Sequence, residues 1–189
     1  TLDWAAASDP GRTRTHNEDS WCARPDLGVF VLADGMGGYN AGEVASALAV
    51  AIVVECLVSP PTLAHSDNPT DSVVRAIALS NEAILACAAR RPECLGMGTT
   101  IAIVALARNR AVLAHVGDSR IYLQRSGELH RLTRDHSVGQ AMVDAGLAAG
   151  DSAKGLALRG VLTRALGVGG AVDPDVSVFV CRACGHGLL

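Results

Sequence analysis

The sequence predicts an α+β domain in which antiparallel sheet is packed in layers with helices on the outside. Strand-like runs outnumber helical ones, and those in the second half of the chain follow one another through short, hairpin-type connections. Two long helical segments stand side by side in the first half. A chain of 189 residues has the size of one domain, so residues 1–189 are expected to form a single domain.

Three helices are predicted. The first begins near Asn40, where Asn40 and Glu43 resemble a capping box, and it is apolar nearly all round through Leu57. Such a helix must be covered on more than one side. The second runs from about residue 71 to 90 and ends at a basic pair followed by proline. A shorter helix is expected from about 137 to 145.

The strands are predicted from runs rich in Val, Ile and Leu. The run at 28–33 is expected to be a strand buried on both faces, and Ser126-Gly127 is a strong hairpin signal between two others. The expected strands are residues 4–8, 20–24, 28–33, 99–107, 111–116, 120–125, 128–133 and 176–181.

Composition excludes several classes of protein. The hydrophobic fraction of 49% argues against disorder, and a net charge of −3 with no basic run gives no support to a nucleic-acid partner. The longest apolar stretch, roughly residues 44–54, is too short to span a bilayer, so no membrane span is expected. Most of the six cysteines sit in apolar segments without a pairing framework, as buried reduced thiols would, and we expect a cytoplasmic protein.

Cys181-x-x-Cys184 could suggest a zinc or redox site. It stands without a second ligand pair at a suitable distance and lacks the flanking helix pattern of a thioredoxin site. We therefore do not expect a zinc or redox function there.

The segment with most chemical information is residues 34–38, which read Asp-Gly-Met-Gly-Gly directly after a buried strand. A carboxylate in that position is costly unless a cation or hydrogen bonds compensate it, and the glycines let the backbone approach a ligand closely. A plain strand-to-helix turn capped by Asp34 explains the same residues. A nucleotide-binding loop is disfavoured because the segment lacks the lysine or the spaced glycines of such sites.

Four acids lie at strand ends beside polar or glycine-rich turns: Glu18, Asp19, Asp34 and Asp118. Oxygen ligands without His or Cys suit a hard cation such as Mg²⁺ or Mn²⁺, and several acids could hold two metals for an in-line attack on phosphorus. Arg14 could grip a phosphate through its planar guanidinium, or it could simply pair with Glu18.

Seven short motifs follow one another along the chain: Arg14-x-x-Asn-Glu-Asp19, Asp34-Gly-Met-Gly-Gly38, Gly42-Glu-x-Ala-Ser46, Gly96-Met-Gly-Thr-Thr100, Val116-Gly-Asp-Ser-Arg120 with Tyr122, Leu132-Thr-Arg-Asp-His136 and Val161-Leu-Thr-Arg-Ala-Leu-Gly167. Single motifs are weak, but their order from residue 14 to 167 is specific. Taken together, they resemble the metal-dependent Ser/Thr protein phosphatases of the PP2C (PPM) family, of the bacterial type.

The resemblance implies an α-β-β-α sandwich of two antiparallel sheets flanked by helix pairs, with the metals at one end. Two Mn²⁺ or Mg²⁺ ions are implied, with a possible third ion at Asp118, and the bridging hydroxide would hydrolyse phosphoserine and phosphothreonine on proteins. By position, Asp34 bridges the central metals and Gly35 offers its carbonyl. Glu18 and Asp19 act directly or through metal-bound water, and Arg14 binds phosphate.

The leaving-group proton donor is left open by the resemblance. Met36 stands where eukaryotic relatives place a histidine as general acid. His16 and His136 are candidates by proximity in sequence only, and a surface or supporting role is the simpler interpretation of each. The segment around 145–159 matches the family's variable flap beside the site.

The resemblance breaks at the C-terminus. Gly185–Leu189 resembles the approach to the family's last strands, with His186 where an Asp is usual, and the two final metal-binding aspartates do not follow. The sequence is therefore expected to be a domain incomplete at its C-terminus, with impaired activity. The alternative function is a non-catalytic module that binds phosphoproteins or regulates a kinase. Expected partners are phosphorylated Ser/Thr proteins and a Ser/Thr kinase.

Overall fold

The computed structural model describes residues 2–12, 16–37, 41–58, 68–148 and 157–180, and the backbone of 187–188. Its elements confirm the α+β class. In chain order they are β1 (Asp19–Arg24), β2 (Val29–Met36), α1 (Ala41–Val58), α2 (Pro69–Arg90), a 3₁₀ turn (Pro92–Cys94), β3 (Gly98–Thr99), β4 (Ile101–Ala107), β5 (Arg110–Val116), β6 (Tyr122–Arg125), β7 (Glu128–Arg131), α3 (Val138–Asp144), β8 (Asp175–Val180) and β9 (Gly187–Leu188).

Two antiparallel sheets form the centre of the fold. The larger sheet has the order β1-β2-β4-β5-β8, with β3 added beside the end of β2, and the smaller sheet has the order β7-β6-β9. In the hairpins β4–β5 and β6–β7, Arg108, Ser126 and Gly127 have positive φ, as the tight turns of such hairpins require. The two-sheet arrangement implied by the resemblance is confirmed.

Alternation along the strands gives the larger sheet two different faces. One face packs on α1 and α2 through a core that includes Val31, Ile103 and Val112. On the other face, Ala102 and Leu113 pack with Ile121 and Leu132, the residues that flank the β6–β7 hairpin. The fold is therefore layered, with the helix pair on one side of the larger sheet and the base of this hairpin on the other.

The helices α1 and α2 are long and apolar enough to cross a bilayer, with mean hydropathies of 2.0 and 1.4. Here they pack on one another, and α1 also lies on β1 and β2. Their buried residues belong to the same core as the sheet. Because core helices of a globular domain meet the same criteria, length and composition are weak indications of a membrane span.

Three local expectations were wrong. Residues 4–8 form no strand, and Trp4 instead contacts Trp21 of β1 at 6.3 Å between ring centroids. β2 does not break at Asp34 but continues to Met36, and it is not buried on both faces because Leu32 is 39% exposed. Among the cysteines, Cys94 is buried as expected, whereas Cys56 is exposed.

Candidate metal and phosphate site

Two of the predicted acids face each other across neighbouring strands. Asp19 opens β1 and is the register partner of Asp34 in β2. Side chains directly opposite in an antiparallel pair have Cβ atoms about 4.5–5.5 Å apart, and two like charges at that spacing repel. The backbone of Asp19 is fixed by a hydrogen bond from its N–H to Asn17 Oδ1 at 3.0 Å. The pair therefore has the arrangement that a shared cation would stabilise.

Glu18 lies on the opposite side of this strand pair, next to the start of α1. Its Oε1 is 2.7 Å from the position that a Cβ on Gly42 would occupy. Its carbonyl accepts hydrogen bonds from Gly35 N–H at 3.0 Å and from Ser46 Oγ at 2.6 Å. The structure thus brings the backbone of Glu18 to Gly35 but does not place its carboxylate on the face shared by Asp19 and Asp34.

At Gly35 there is no room for a side chain. A Cβ there would press on the carbonyl of Gly42 and lie 2.7 Å from Glu18 O. The close packing of β2 against the first turn of α1 therefore depends on glycine at this position. We call this close approach of the Glu18 and Gly42 backbones to Gly35 the Gly35 cradle. Backbone carbonyl oxygens beside two carboxylates fit the hard-oxygen donor set of Mg²⁺ or Mn²⁺.

The backbone of Asp34 is fixed by the two threonines after Gly98. Its N–H donates to Thr100 Oγ1 at 2.9 Å. Its carbonyl accepts from Thr100 N and from Thr99 Oγ1, both at 2.9 Å. Thr100 Oγ1 also bonds to Ser119 Oγ at 2.7 Å, which joins the Asp34 strand to the loop that carries Asp118.

Asp118 is half-buried in the loop that follows β5. Burial raises the pKa of its carboxyl, and the nearby Asp135 carboxylate raises it further. The Arg120 guanidinium and a backbone hydrogen bond act in the opposite direction. A bound cation would oppose both effects and favour the ionised form of this carboxyl, so its chemistry fits the third metal position implied by the resemblance.

An ion network centred on the buried Asp135 lies beside Asp118. It was not predicted from the sequence, although Arg120 and Asp135 belong to motifs quoted above. Asp135 accepts two hydrogen bonds from Arg120, at 3.0 Å from Nε and 2.6 Å from Nη2. It accepts a third from Arg131 Nη2 at 2.6 Å. With only 4% of its side chain exposed, Asp135 holds the β6–β7 hairpin against the start of α3.

A second buried cluster was also missed. His115 and His136 stack with ring centroids 4.5 Å apart, and His136 Nε2 lies 3.3 Å from Asp175 Oδ2. Ligand atoms of these three residues lie within 4.8 Å of one another, as a metal site would require. However, His136 Nδ1 accepts the Gly117 N–H at 3.1 Å, so a metal at Nε2 would need a fully deprotonated ring.

The relative orientation of the two histidine rings also argues against a metal site. Because the rings are stacked and inclined by only 26°, their in-plane nitrogen lone pairs lie in nearly parallel planes and are not directed at an ion between the rings. We therefore describe these residues as a packed polar cluster and not as a metal centre. Burial, the largest influence, lowers the pKa of His136. His136 is 3% exposed and its Nδ1 is engaged with Gly117, which argues against the surface position and against a proton-donor role. His16 is exposed.

A cavity of about 240 Å³ borders the end of β2. Met36 forms one wall, and residues 162–165, 168 and 171–173 form the rest. By alternation, Met36 lies on the same face of β2 as Asp34. The cavity is thus on the side of the sheet where the facing acids lie.

Several predicted features lie outside the described residues. These are Arg14, the end of the glycine loop at 38–40, most of the expected flap (149–156), and residues 181–186 with the Cys-x-x-Cys pair and His186.

The family model described as protein phosphatase 2C matches residues 12–145. The serine/threonine protein phosphatase PstP of Mycobacterium tuberculosis is 40% identical over 197 aligned residues, which include the whole of this chain. The chain spans 35% of the length of PstP, about a third. The serine/threonine phosphatase stp of Listeria welshimeri is 34% identical over 90% of this chain and 69% of its own length.

Solved structures give the same relationship. A crystal structure of M. tuberculosis PstP/Ppp superposes with a TM-score of 0.87 and 38% identity, covering 97% of this chain and 75% of that one. The PstP catalytic domain in complex with two manganese ions gives a TM-score of 0.84 and 38% identity, covering 97% and 74%. With the ordered motifs and the two-sheet fold, these matches show that the chain belongs to the protein phosphatase 2C family, of the bacterial type.

Proposed function

We propose that this chain, acting as one domain over residues 1–189, is a metal-dependent phosphatase that hydrolyses phosphoserine and phosphothreonine on proteins. The observation that carries the proposal is the facing of Asp19 and Asp34 across β1 and β2, directly beside the Gly35 cradle. Two carboxylates directly opposite one another in an antiparallel pair repel, and a cation bound between them offsets that cost.

The ions proposed are Mn²⁺ or Mg²⁺. The relative with two manganese ions supports this choice, as does a donor set of carboxylate and carbonyl oxygens. Asp34 would hold both central ions, with Gly35 contributing its carbonyl and Asp19 acting directly or through ion-bound water. Glu18, whose carboxylate lies toward Gly42, would support the site through the hydrogen bond from Gly35 N–H to its carbonyl. Asp118 would hold a third ion. When bound, the ions supply the positive charge that activates water and offsets the charge of the phosphoryl group.

The chain's own residues would bind and orient the substrate. Arg14 is proposed to hold two phosphate oxygens through its planar guanidinium. Arg14→Ala should then raise KM for a phosphopeptide while the affinity for Mn²⁺ stays near that of the wild type. Arg14→Lys should restore the KM only in part, because an ammonium makes no two-point contact. A loss of folding stability with unchanged KM would mean that Arg14 is structural.

The substrates proposed are phosphorylated proteins, with a Ser/Thr kinase acting on the same targets. We place the activity in the cytoplasm, where thiols stay reduced; Cys22, Cys56, Cys87 and Cys94 are free thiols, which supports this. The alternative is a non-catalytic module that binds phosphoproteins or regulates a kinase. It is less well supported, because the relatives that match this chain are named as serine/threonine phosphatases.

The test is a comparison of Asp34→Asn with the wild-type chain. Removing one negative charge from the facing pair should weaken Mn²⁺ binding in calorimetry and abolish Mn²⁺-dependent hydrolysis of a phosphothreonine peptide. Asp26→Asn is the control and should behave as the wild type, because Asp26 is an exposed acid in the β1–β2 turn, at the end of the strand pair opposite to Asp19 and Asp34. If the wild-type chain hydrolyses the peptide and Asp34→Asn does so at the same rate, the proposal is refuted. A wild-type chain that neither binds Mn²⁺ nor hydrolyses the peptide refutes it as well.

A further inference from the structure

The loop that carries Asp118 depends on an unusual backbone conformation. Gly117 has φ of +101°, a region that side-chain-bearing residues rarely adopt. A Cβ at Gly117 would also lie 2.6 Å from Thr100 Cγ2 and 3.2 Å from Thr100 Cα. The loop is therefore pressed against the residue that fixes the backbone of Asp34, and its path has little freedom on that side.

His136 binds both polar backbone atoms of the same glycine. The Gly117 N–H donates to His136 Nδ1 at 3.1 Å, and the His136 N–H donates to Gly117 O at 2.9 Å. The next residue along the chain is Asp118. The ring and the main chain of His136 thus fix the position and orientation of Gly117, the residue directly before the proposed metal ligand Asp118.

The ring itself is held from its other sides. It stacks on His115, whose Nε2 is 2.8 Å from the carbonyl of Arg134. His136 Nε2 faces Asp175 of β8, and Asp175 Oδ1 is held in turn by Arg164 Nη1 at 2.8 Å. A ring that is 3% exposed and contacted on its face and on both nitrogens cannot turn without breaking several contacts at once.

We propose that His136 is a positioning residue for Asp118: its Nδ1 fixes the Gly117 amide, and this orients the Asp118 carboxylate for a cation. The part that concerns the cation rests on the proposed function, whereas the part that concerns the loop does not. Loss of a group that orients a metal ligand by a hydrogen bond typically lowers the metal affinity by about 10- to 100-fold.

Two substitutions separate the two nitrogens of the ring. In His136→Asn, the side-chain oxygen can take the place of Nδ1 and keep the bond from Gly117. In His136→Gln, the longer side chain can reach Asp175 in place of Nε2 but gives up the acceptor for Gly117. Both variants lose the stacked ring, so a purely structural role would affect them alike. His130→Asn, at an exposed position on β7, is the control.

The readouts are amide hydrogen exchange at residues 117–119, Mn²⁺ affinity by calorimetry, and thermal unfolding. We expect His136→Gln to speed exchange at Gly117 at least tenfold and to weaken the Mn²⁺ site at Asp118 about tenfold. His136→Asn should stay within about threefold of wild type in both, although the two variants unfold at similar temperatures. Equal effects of the two variants on exchange and affinity would overturn the proposal.

A measurement on the wild-type chain covers the case in which either variant fails to fold. Nitrogen-15 NMR of the ring should show His136 as the tautomer with hydrogen on Nε2, with a coupling from the Gly117 amide into Nδ1. A ring with hydrogen on Nδ1 would overturn the proposal. If the wild-type chain binds no Mn²⁺ while the tautomer and the exchange data are as expected, the proposed function fails and the placement of the loop by His136 stands.

Discussion

Thr100 holds Asp34 by both of its backbone polar groups. The Asp34 N–H donates to Thr100 Oγ1, and the Asp34 carbonyl accepts from Thr100 N, each at 2.9 Å. Because Thr100 Oγ1 also bonds to Ser119 Oγ, one buried hydroxyl links the strand that carries Asp34 to the loop that carries Asp118. The proposed metal site is thus supported from within the sheet, by residues that carry no charge.

Thr100→Val tests this link because valine keeps the shape and removes the hydroxyl. The buried Asp34 amide then loses its acceptor, so the free energy of unfolding should fall by about 1–3 kcal/mol. Mn²⁺ affinity should fall with it, because Asp34 is less firmly placed. Urea unfolding and calorimetry measure the two effects. Thr100→Ser keeps the hydroxyl and should recover most of the Mn²⁺ affinity; the same loss in both variants would mean that the methyl contacts matter and the hydroxyl does not.

Gly35→Ala tests the contact between β2 and α1. The added methyl group would press on backbone atoms of Gly42 and Glu18, which cannot move as a flexible side chain could. We expect the free energy of unfolding to fall by about 3 kcal/mol, at the upper end of the range for overpacked sites. Gly160→Ala is the control, since a methyl group added there would meet no atom within 4 Å. Equal urea midpoints for the two variants would contradict the close packing at Gly35.

Asp135→Asn tests the ion network next to Asp118. The substitution removes the charge that offsets Arg120 and Arg131 and turns one acceptor into a donor that faces a guanidinium. Removal of one partner from a buried ionic group costs about 3–5 kcal/mol, and urea unfolding should show a loss in this range. Asp26→Asn breaks the exposed pair with Arg24 and should change stability little. A similarly small change for Asp135→Asn would show that water compensates the two arginines.

Periodicity and turn chemistry were sufficient to predict most elements of the fold. The apolar run at 28–33 and the Ser126-Gly127 turn depend on local sequence, and the strand and the hairpin that they predict were confirmed by β2 and by the β6–β7 pair. The strand expected at residues 4–8 was wrong because a strand needs a partner as well as suitable residues. Trp4 instead packs on the exposed ring of Trp21.

The candidate site was predictable only where its contacts join elements that are neighbours in the chain. Asp19 and Asp34 could be placed together because their strands follow one another in the chain, so a hairpin brings them into register. The environment of His136 could not be predicted in this way. It depends on contacts with His115, Gly117 and Asp175, which are 19 to 39 residues away, and no short motif specifies contacts at that separation.

The burial of His136 predicts how stability depends on pH. Burial lowers its pKa in the folded chain, and the groups that face it are His115, Asp175 and Arg164. In the unfolded chain the ring titrates near its ordinary value of about 6.5, so below that pH the unfolded state binds a proton that the folded state does not. The contribution is therefore fully present above about pH 6.5 and is lost as the pH falls toward the lowered folded pKa.

Urea unfolding between pH 7.5 and pH 5.5 measures this contribution. The free energy of unfolding of the wild-type chain should fall by up to about 1.4 kcal/mol for each pH unit below 6.5, the value for one linked proton. In His136→Asn no ring is left to titrate, so its stability should decline less steeply over the same range, whatever its stability at pH 7.5. Parallel curves for the two proteins would show that His136 titrates alike in the folded and unfolded states.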